Sequence, residues 1–106
     1  MFAIWADGKL IGRSVLEFGD PPMGVAYGKF IATTNFPAFH DTHPPEDFGD
    51  KLPSLRWEGG LSVSTEGGDL LDCVAVALLA YDMPEAWEYE VTVLGISSPH
   101  YADLFP

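Results

Sequence analysis

The sequence predicts a mainly β domain, either a small antiparallel barrel or a two-sheet sandwich of about six to eight strands. Short runs that alternate apolar and polar residues, with glycine-rich or proline-rich turns between them, favour this class. Apolar residues make up 47% of the chain and aromatic residues 13%, which is enough for a hydrophobic core. We expect one domain, 1–106, because domains commonly have about 100 to 150 residues.

An N-terminal hairpin is predicted from the dipeptide Asp7-Gly8, which suits a type I′ turn because glycine tolerates positive φ. Its two strands are residues 2–6 and 9–18, which are rich in apolar and β-branched side chains. A third strand, 25–33, is expected to follow a sharp bend in the chain.

That bend is the corner formed by Asp20, Pro21 and Pro22. The Asp20 carboxylate can accept hydrogen bonds from nearby backbone amides, and each proline fixes φ and removes a backbone donor. Gly12 and Gly28 interrupt the strands on either side of the corner. A glycine inside a strand is typical of a bulge, a bend or a close backbone approach.

Residues 34–53 interrupt the strand pattern with four prolines, three aspartates and two histidines. We expect a long loop here, with at most one helical turn near residues 37–40. Loops longer than about 12 to 15 residues tend to be functional or mobile. The sequence therefore places the candidate binding surface on this loop. Its predicted anchors are Phe36, Phe39, His40, His43 and Phe48.

Two later segments alternate strictly. Residues 61–66 predict a strand with Ser64 on the solvent side, followed by a hairpin turn at Gly67-Gly68. Residues 87–96 predict the strongest strand of the chain. If that strand lies at a sheet edge, a second copy could pair with it, and a homo-oligomer is then expected. The final residues, 100–105, predict one helical turn that packs against the sheet.

Residues 69–81 are compatible with two structures. Their apolar spacing fits a helix with Asp69 as N-cap, but a polar face is lacking after Asp72. This lack and the preceding double-glycine turn favour a buried strand. The alternative is an α+β fold in which residues 69–81 are helical.

Charge restricts the expected partners. Sixteen acidic residues against five Lys and Arg give a formal net charge of −11, which repels phosphate backbones and anionic lipids. We therefore expect neither nucleic acid nor a membrane as partner, whereas complementary charge accelerates association with a basic protein. The N-terminus lacks a basic segment, and its apolar stretch ends at Asp7, so a cytoplasmic location is expected.

The sequence identifies no catalytic residue. Cys73 is the sole cysteine and lies in an apolar run, where a buried and inert thiol is expected. Glu88 and Glu90 are expected to face solvent on a charged outer surface rather than to act as an acid–base pair. The serines lack the nucleophile-elbow pattern around them.

The residues that best suit a metal ion are three histidines, His40, His43 and His100. A histidine pair in a proline-rich loop is not held on a regular helix face, and its spacing matches no zinc signature. We therefore expect no cofactor, with a divalent metal on these three histidines as the alternative.

Together these patterns favour a non-enzymatic protein-binding module, similar in kind to an immunity protein or inhibitor, that binds a basic partner. Aromatic anchors within a charged surface are typical of such interfaces. The alternative is a small-molecule or metal-binding β-barrel with its site on the loop at 34–53.

Overall fold

The computed structural model describes residues 1–105, in which two antiparallel sheets pack as a sandwich and do not close into a barrel. Within these residues the strands are β1 (Phe2–Ala6), β2 (Lys9–Ser14), β3 (Phe18–Asp20), β4 (Val25–Lys29), β5 (Ile31–Ala32), β6 (Glu46–Asp47), β7 (Leu55–Glu58), β8 (Leu61–Ser64), β9 (Ala75–Asp82) and β10 (Trp87–Leu94). The helices are α1 (Phe36–Thr42) and α2 (Tyr101–Leu104).

The smaller sheet has the strand order β5-β2-β1-β8, and the larger has the order β3-β4-β10-β9-β7-β6. The prediction of a mainly β antiparallel fold is confirmed in its sandwich form. Neither α1 nor α2 is long and apolar enough to cross a membrane, and no other helix lies within residues 1–105 that could do so.

The predicted turns form where expected. Asp7 and Gly8 have φ of 51° and 76°, as a type I′ turn requires, and they join β1 to β2. A 3-10 turn, Pro21–Met23, makes the corner between β3 and β4. Gly68, with φ of 95°, closes the hairpin after β8.

Two predicted strands divide where the chain passes from one sheet to the other. The predicted strand 9–18 ends at Ser14, because Leu16 turns inward with a φ of 52° and is only 2% exposed. The backbone N–H of Leu16 donates to Ser14 Oγ at 3.0 Å, which holds this bend. The predicted strand 25–33 divides in the same way at the buried side chain of Phe30. At each crossing, burial of one large apolar side chain stabilises the fold more than continued pairing of the strand in the same sheet would.

Part of the predicted loop 34–53 is a two-turn helix, α1. Pro37 stands in the first turn of α1, where its missing N–H breaks no helical hydrogen bond. Phe36 and Phe39 are three residues apart and therefore share one face, which packs into the core. The helical turn expected near residues 37–40 is part of this longer helix, because its apolar face supplies enough burial to order the segment.

The helical alternative for residues 69–81 is wrong. Residues 75–82 form β9, which pairs with β10 on one side and β7 on the other. Strand β10 is interior, between β4 and β9, so residues 87–96 do not offer the free edge on which the predicted self-association depended. Residues 90–93 pair with β4, and the whole strand pairs with β9. The homo-oligomer stays a prediction.

The core lies between the two sheets. Its largest fully buried apolar side chains are Ile4, Ile11, Val63, Leu78, Val91 and Val93. Ser64, predicted to face water, is buried instead and accepts a 2.9 Å hydrogen bond from Trp5 Nε1. A buried hydroxyl needs such a partner, and the indole supplies it.

Gly12 allows the close packing of Phe30 at a sheet crossing. A Cβ at position 12 would overlap the Phe30 ring and lie 2.9 Å from the carbonyl oxygen of Ile31. We expect Gly12→Ala to lower the free energy of unfolding by roughly 1 to 3 kcal/mol, as overpacking does. Urea denaturation measures this, with Gly67→Ala as the matched control because its Cβ would meet nothing closer than 3.8 Å. Equal effects of the two changes would contradict this account of Gly12.

Candidate functional site

The structure divides the five predicted anchor residues into two groups. Phe36 and Phe39 are 7% and 5% exposed and belong to the core, where they pack against Trp57. His40 is exposed, and His43 and Phe48 are half-buried. A partner that approaches α1 would therefore meet the last three side chains and not the first two. Their role in binding stays a prediction.

His43 joins α1 to the N-terminal hairpin. Its Nε2 lies 2.8 Å from Asp7 Oδ2, and its ring stacks on Phe39 with 4.5 Å between centroids. Its Nδ1 is 3.1 Å from the Phe39 carbonyl oxygen and 2.9 Å from Thr42 Oγ1. A cavity of about 140 Å³ lies between α1 and the hairpin, with Asp7, Thr42 and His43 in its wall and Ile11 and Phe39 as its apolar lining.

The three predicted metal ligands occupy separate local environments. His40 Nδ1 is 3.8 Å from Asp41, and His43 is engaged with Asp7. His100 begins α2, where its Nδ1 accepts a hydrogen bond from the Ala102 N–H at 3.3 Å. Residues 1–105 contain no group of three or more His, Cys, Asp and Glu side chains placed to hold one metal ion. The metal site stays a prediction from the sequence.

The largest concave surface described is a groove of about 490 Å³ on the outer side of the six-stranded sheet. We name it the acidic groove. Its lining comes from β3, β4, β9 and β10 and the segments beside them: Glu17, Phe18, Lys29, Leu52, Tyr81, Met83, Glu88, Tyr89 and Glu90. Its volume lies in the range of about 300 to 1,000 Å³ that is usual for ligand sites.

Strand periodicity and one glycine place the carboxylates of the acidic groove. Glu88 and Glu90 are two residues apart on β10 and therefore project to the same side of the sheet. Glu17 lies over Gly28, where a Cβ would overlap its Oε1 and lie 3.0 Å from its Cδ. Glu17 Oε1 also accepts the backbone N–H of Lys29 at 3.1 Å. This hydrogen bond ties one oxygen of the exposed Glu17 carboxylate to the backbone of β4.

These carboxylates lack close counter-charges. Within residues 1–105, none of Glu17, Glu88 and Glu90 lies within 4 Å of a cationic side chain, although Lys29 lines the same groove. Burial raises the pKa of Glu90, and the charge of Glu17 raises it further. Glu90 is half-buried, whereas the sequence predicted a solvent-facing carboxylate. Lys29 stands directly opposite Glu90 in the β4–β10 ladder, so the two side chains project to the same face of the sheet without an ion pair within 4 Å.

Other titratable groups near the core remain uncharged at neutral pH. Burial raises the pKa of the Tyr89 phenol, and burial together with Glu90 raises that of Tyr81. Burial also raises the pKa of the Cys73 thiol, with a further contribution from Asp72. Cys73 is half-buried against the core rather than fully buried. A protonated thiol is a poor nucleophile, and the inert role of Cys73 stays a prediction.

Comparisons with known proteins gave no match: no family model, no curated protein and no solved structure is significantly similar to this chain.

The raised pKa of Glu90 makes the free energy of unfolding depend on pH. Because the folded pKa lies above the ordinary value of 4.5, the folded state holds its proton to higher pH than the unfolded state does. The contribution of Glu90 to stability therefore falls as pH rises through this interval, and it stays unfavourable at pH 7. We expect Glu90→Gln to raise the free energy of unfolding at pH 7 by roughly half a kcal/mol, a small gain because solvent screens a half-buried site.

This gain should disappear at about pH 3, well below the ordinary value of 4.5, where the carboxyl is protonated in both states. Urea denaturation at the two pH values measures it. Glu85→Gln, in the exposed turn between β9 and β10, is the control with the same chemistry. A loss of stability in the Glu90→Gln variant at pH 7 would show that the ionised carboxylate is favourably paired in the folded state.

Proposed function

We propose that this chain is a non-enzymatic protein-binding module that binds a basic partner through the acidic groove. The observation that supports this most is a groove with exposed apolar walls whose lining includes three glutamates, none of them in an ion pair within 4 Å among the described residues. A cationic side chain placed there would relieve the repulsion between Glu17 and Glu90. Complementary charge would also accelerate encounter with the partner, since the chain has a formal net charge of −11.

The walls of the acidic groove supply the apolar contact that an interface needs. Phe18 and Leu52 are 58% and 59% exposed, and Met83 is also partly exposed. Phe18 stacks on Tyr27 with 5.4 Å between ring centroids, and the rest of its side chain is exposed. Aromatic side chains have few rotatable bonds, lose little entropy on binding and are frequent among the residues that dominate binding energy.

The proposal predicts that binding depends on the position of the charges and not only on their number. We titrate ¹⁵N-labelled protein with hexalysine and expect amide shifts clustered in residues 17–29 and 81–90. Replacing Glu17, Glu88 and Glu90 by Gln should weaken binding by about tenfold or more, since charge-assisted contacts contribute about 1.5 to 3 kcal/mol each. Added salt should weaken the wild-type complex.

A matched control separates the acidic groove from the net charge. Glu46→Gln, Asp50→Asn and Asp69→Asn together remove the same number of charges from exposed residues that do not line the groove. This variant should bind hexalysine with nearly wild-type affinity. If both triple variants weaken binding equally, the acidic groove is not the binding site.

The second candidate function is a small-ligand or metal site at α1. It is favoured by one observation, the cavity of about 140 Å³ with the His43–Asp7 pair in its wall. We expect the double change His40→Ala and His43→Ala to abolish Zn²⁺ uptake without a change in the circular dichroism spectrum. Isothermal titration with Zn²⁺ measures uptake. Uptake by the double variant equal to that of the wild type would exclude this site.

A further inference from the structure

The outer face of the six-stranded sheet carries a row of charges that crosses five strands. The strand register places Lys29 opposite Glu90, and Glu90 opposite Leu79. On the other side of β9, Arg56 stands opposite Leu79, and Glu46 stands opposite Arg56. In order across β4, β10, β9, β7 and β6, this charged row is Lys29, Glu90, Leu79, Arg56 and Glu46. It spans roughly 19 Å, since neighbouring strands lie about 4.8 Å apart.

The charged row is complementary to a second copy of itself. Leu79 is its neutral centre. One strand away from Leu79 lie Glu90 on one side and Arg56 on the other, and two strands away lie Lys29 and Glu46, again with opposite charges. A two-fold axis that runs along β9 through Leu79 therefore places Glu90 of one copy on Arg56 of the other. The same axis places Lys29 on Glu46.

The charges also select this axis over the other axis that could relate two stacked sheets. An axis across the strands, along the charged row, would place each residue on its own copy. Lys29 would then face Lys29, and Glu90 would face Glu90, and like charges in contact oppose association. Only the axis along the strands pairs opposite charges.

The surface around the charged row can make the remaining contacts. Lys29 and Glu46 are exposed, and the three residues between them are half-buried. The register places a second, more apolar row beside it, which consists of Phe18, Tyr27, Thr92, Ala77 and Glu58. Sheets that pack face to face commonly keep their strands within about 30° of each other, and an axis along β9 satisfies this condition.

Arg56 and Glu90 lack good charge partners within the single chain. The Arg56 guanidinium has five N–H donors, and within residues 1–105 only its Nη2 donates, to Glu58. Burial raises the pKa of Glu90, and the charge of Glu17 raises it further. A guanidinium from a second copy would stabilise the ionised carboxylate of Glu90.

We propose that this chain forms a symmetric dimer through the outer face of its six-stranded sheet, with the two-fold axis along β9 at Leu79. Glu90 of each copy then contacts Arg56 of the other, and Lys29 contacts Glu46. This inference goes beyond the proposed function and does not depend on it. Glu90 also lines the acidic groove, so a second copy and a basic partner compete for this residue.

Net charge opposes this dimer at long range but not at contact. Two chains that each have a formal net charge of −11 repel each other. At an ionic strength of about 0.15 M the Debye length is about 8 Å, so charges spread over the rest of each chain are largely screened, whereas contacts in the interface act over a shorter distance. Each of the two opposite-charge pairs occurs twice in the dimer.

Sedimentation equilibrium at an ionic strength of about 0.15 M measures the self-association. The mass of the wild-type chain should rise from 11.5 kDa toward twice this value as its concentration increases from micromolar to millimolar. A mass that stays at that of a single chain over this range would overturn the proposal.

Charge reversal at the two ends of the charged row tests the pairing. Lys29→Glu and Glu46→Lys should each weaken self-association by about tenfold or more, because each variant brings like charges together twice in its own dimer. An equimolar mixture of the two variants should associate within a few-fold of the wild type, because each introduced charge then faces an opposite one. Circular dichroism checks that both variants are folded. A mixture that does not recover association would contradict the pairing of Lys29 with Glu46.

A matched pair of variants separates the charged row from the net charge. Lys51→Glu and Glu85→Lys make the same changes in charge at exposed residues outside the row. Each of these variants alone should self-associate nearly as the wild type does. If they weaken association as much as Lys29→Glu and Glu46→Lys do, the charged row is not the interface.

A cysteine at the axis tests its position independently of charge. In a Cys73→Ser background, Leu79→Cys places two thiols opposite each other across the dimer, and mild oxidation should join them. Thr92→Cys is the control, because Thr92 is also half-buried but its two copies lie two strand spacings, roughly 10 Å, apart across the face. Non-reducing electrophoresis should show several-fold more crosslinked dimer for Leu79→Cys. Equal yields would overturn the axis at Leu79.

Discussion

The eight-residue ladder between β9 and β10 is the constraint on which the rest of the structure depends. Side chains alternate along β10, so Val91 and Val93 enter the core while Glu88 and Glu90 line the acidic groove on the other side of the sheet. A shift of one residue in this ladder would exchange the two faces and place carboxylates in the core. The same pairing therefore fixes the hydrophobic core and the position of the candidate site.

Ionisation of Glu90 in the acidic groove lowers the free energy of unfolding. Glu90 is half-buried near Glu17, and its raised pKa shows that ionisation there is unfavourable. The opposite face of the same sheet offsets this cost, because Leu78 and Val91 face each other across the ladder and are fully buried. Groups with perturbed pKa values concentrate at functional sites, and a half-buried carboxylate beside another one follows this pattern.

The sequence predicted those parts of the fold that depend on local chemistry. The turn at Asp7-Gly8 follows from residues that tolerate positive φ, and the strand β10 follows from strict alternation of apolar and polar residues. Both signals depend only on residues that are neighbours in the sequence. The sheet crossings at Leu16 and Phe30 could not be predicted in this way, because each depends on contact with a distant part of the chain. Helix α1 was predicted only as one turn near residues 37–40 for a related reason: the prolines of the segment 34–53 indicated a loop, whereas the burial of the aromatic face of α1 decides its structure.

The candidate site was harder to predict than the fold, because the acidic groove joins residues far apart in sequence. Alternation placed Glu88 and Glu90 on an outer face but gave no sign that Phe18 and Met83 would flank them. The residues around α1, in contrast, are close in sequence, and the sequence-based prediction placed the binding surface on them.

The side chains of these two regions differ in what they already contact within the protein. At α1, Phe36 and Phe39 are core residues, and His43 is engaged with Asp7 and the end of the helix. A partner there would gain little new contact without breaking existing ones. In the acidic groove, Phe18 is exposed and the glutamates lack close cations, so a partner with a cationic, partly apolar side chain forms contacts that the protein alone does not make.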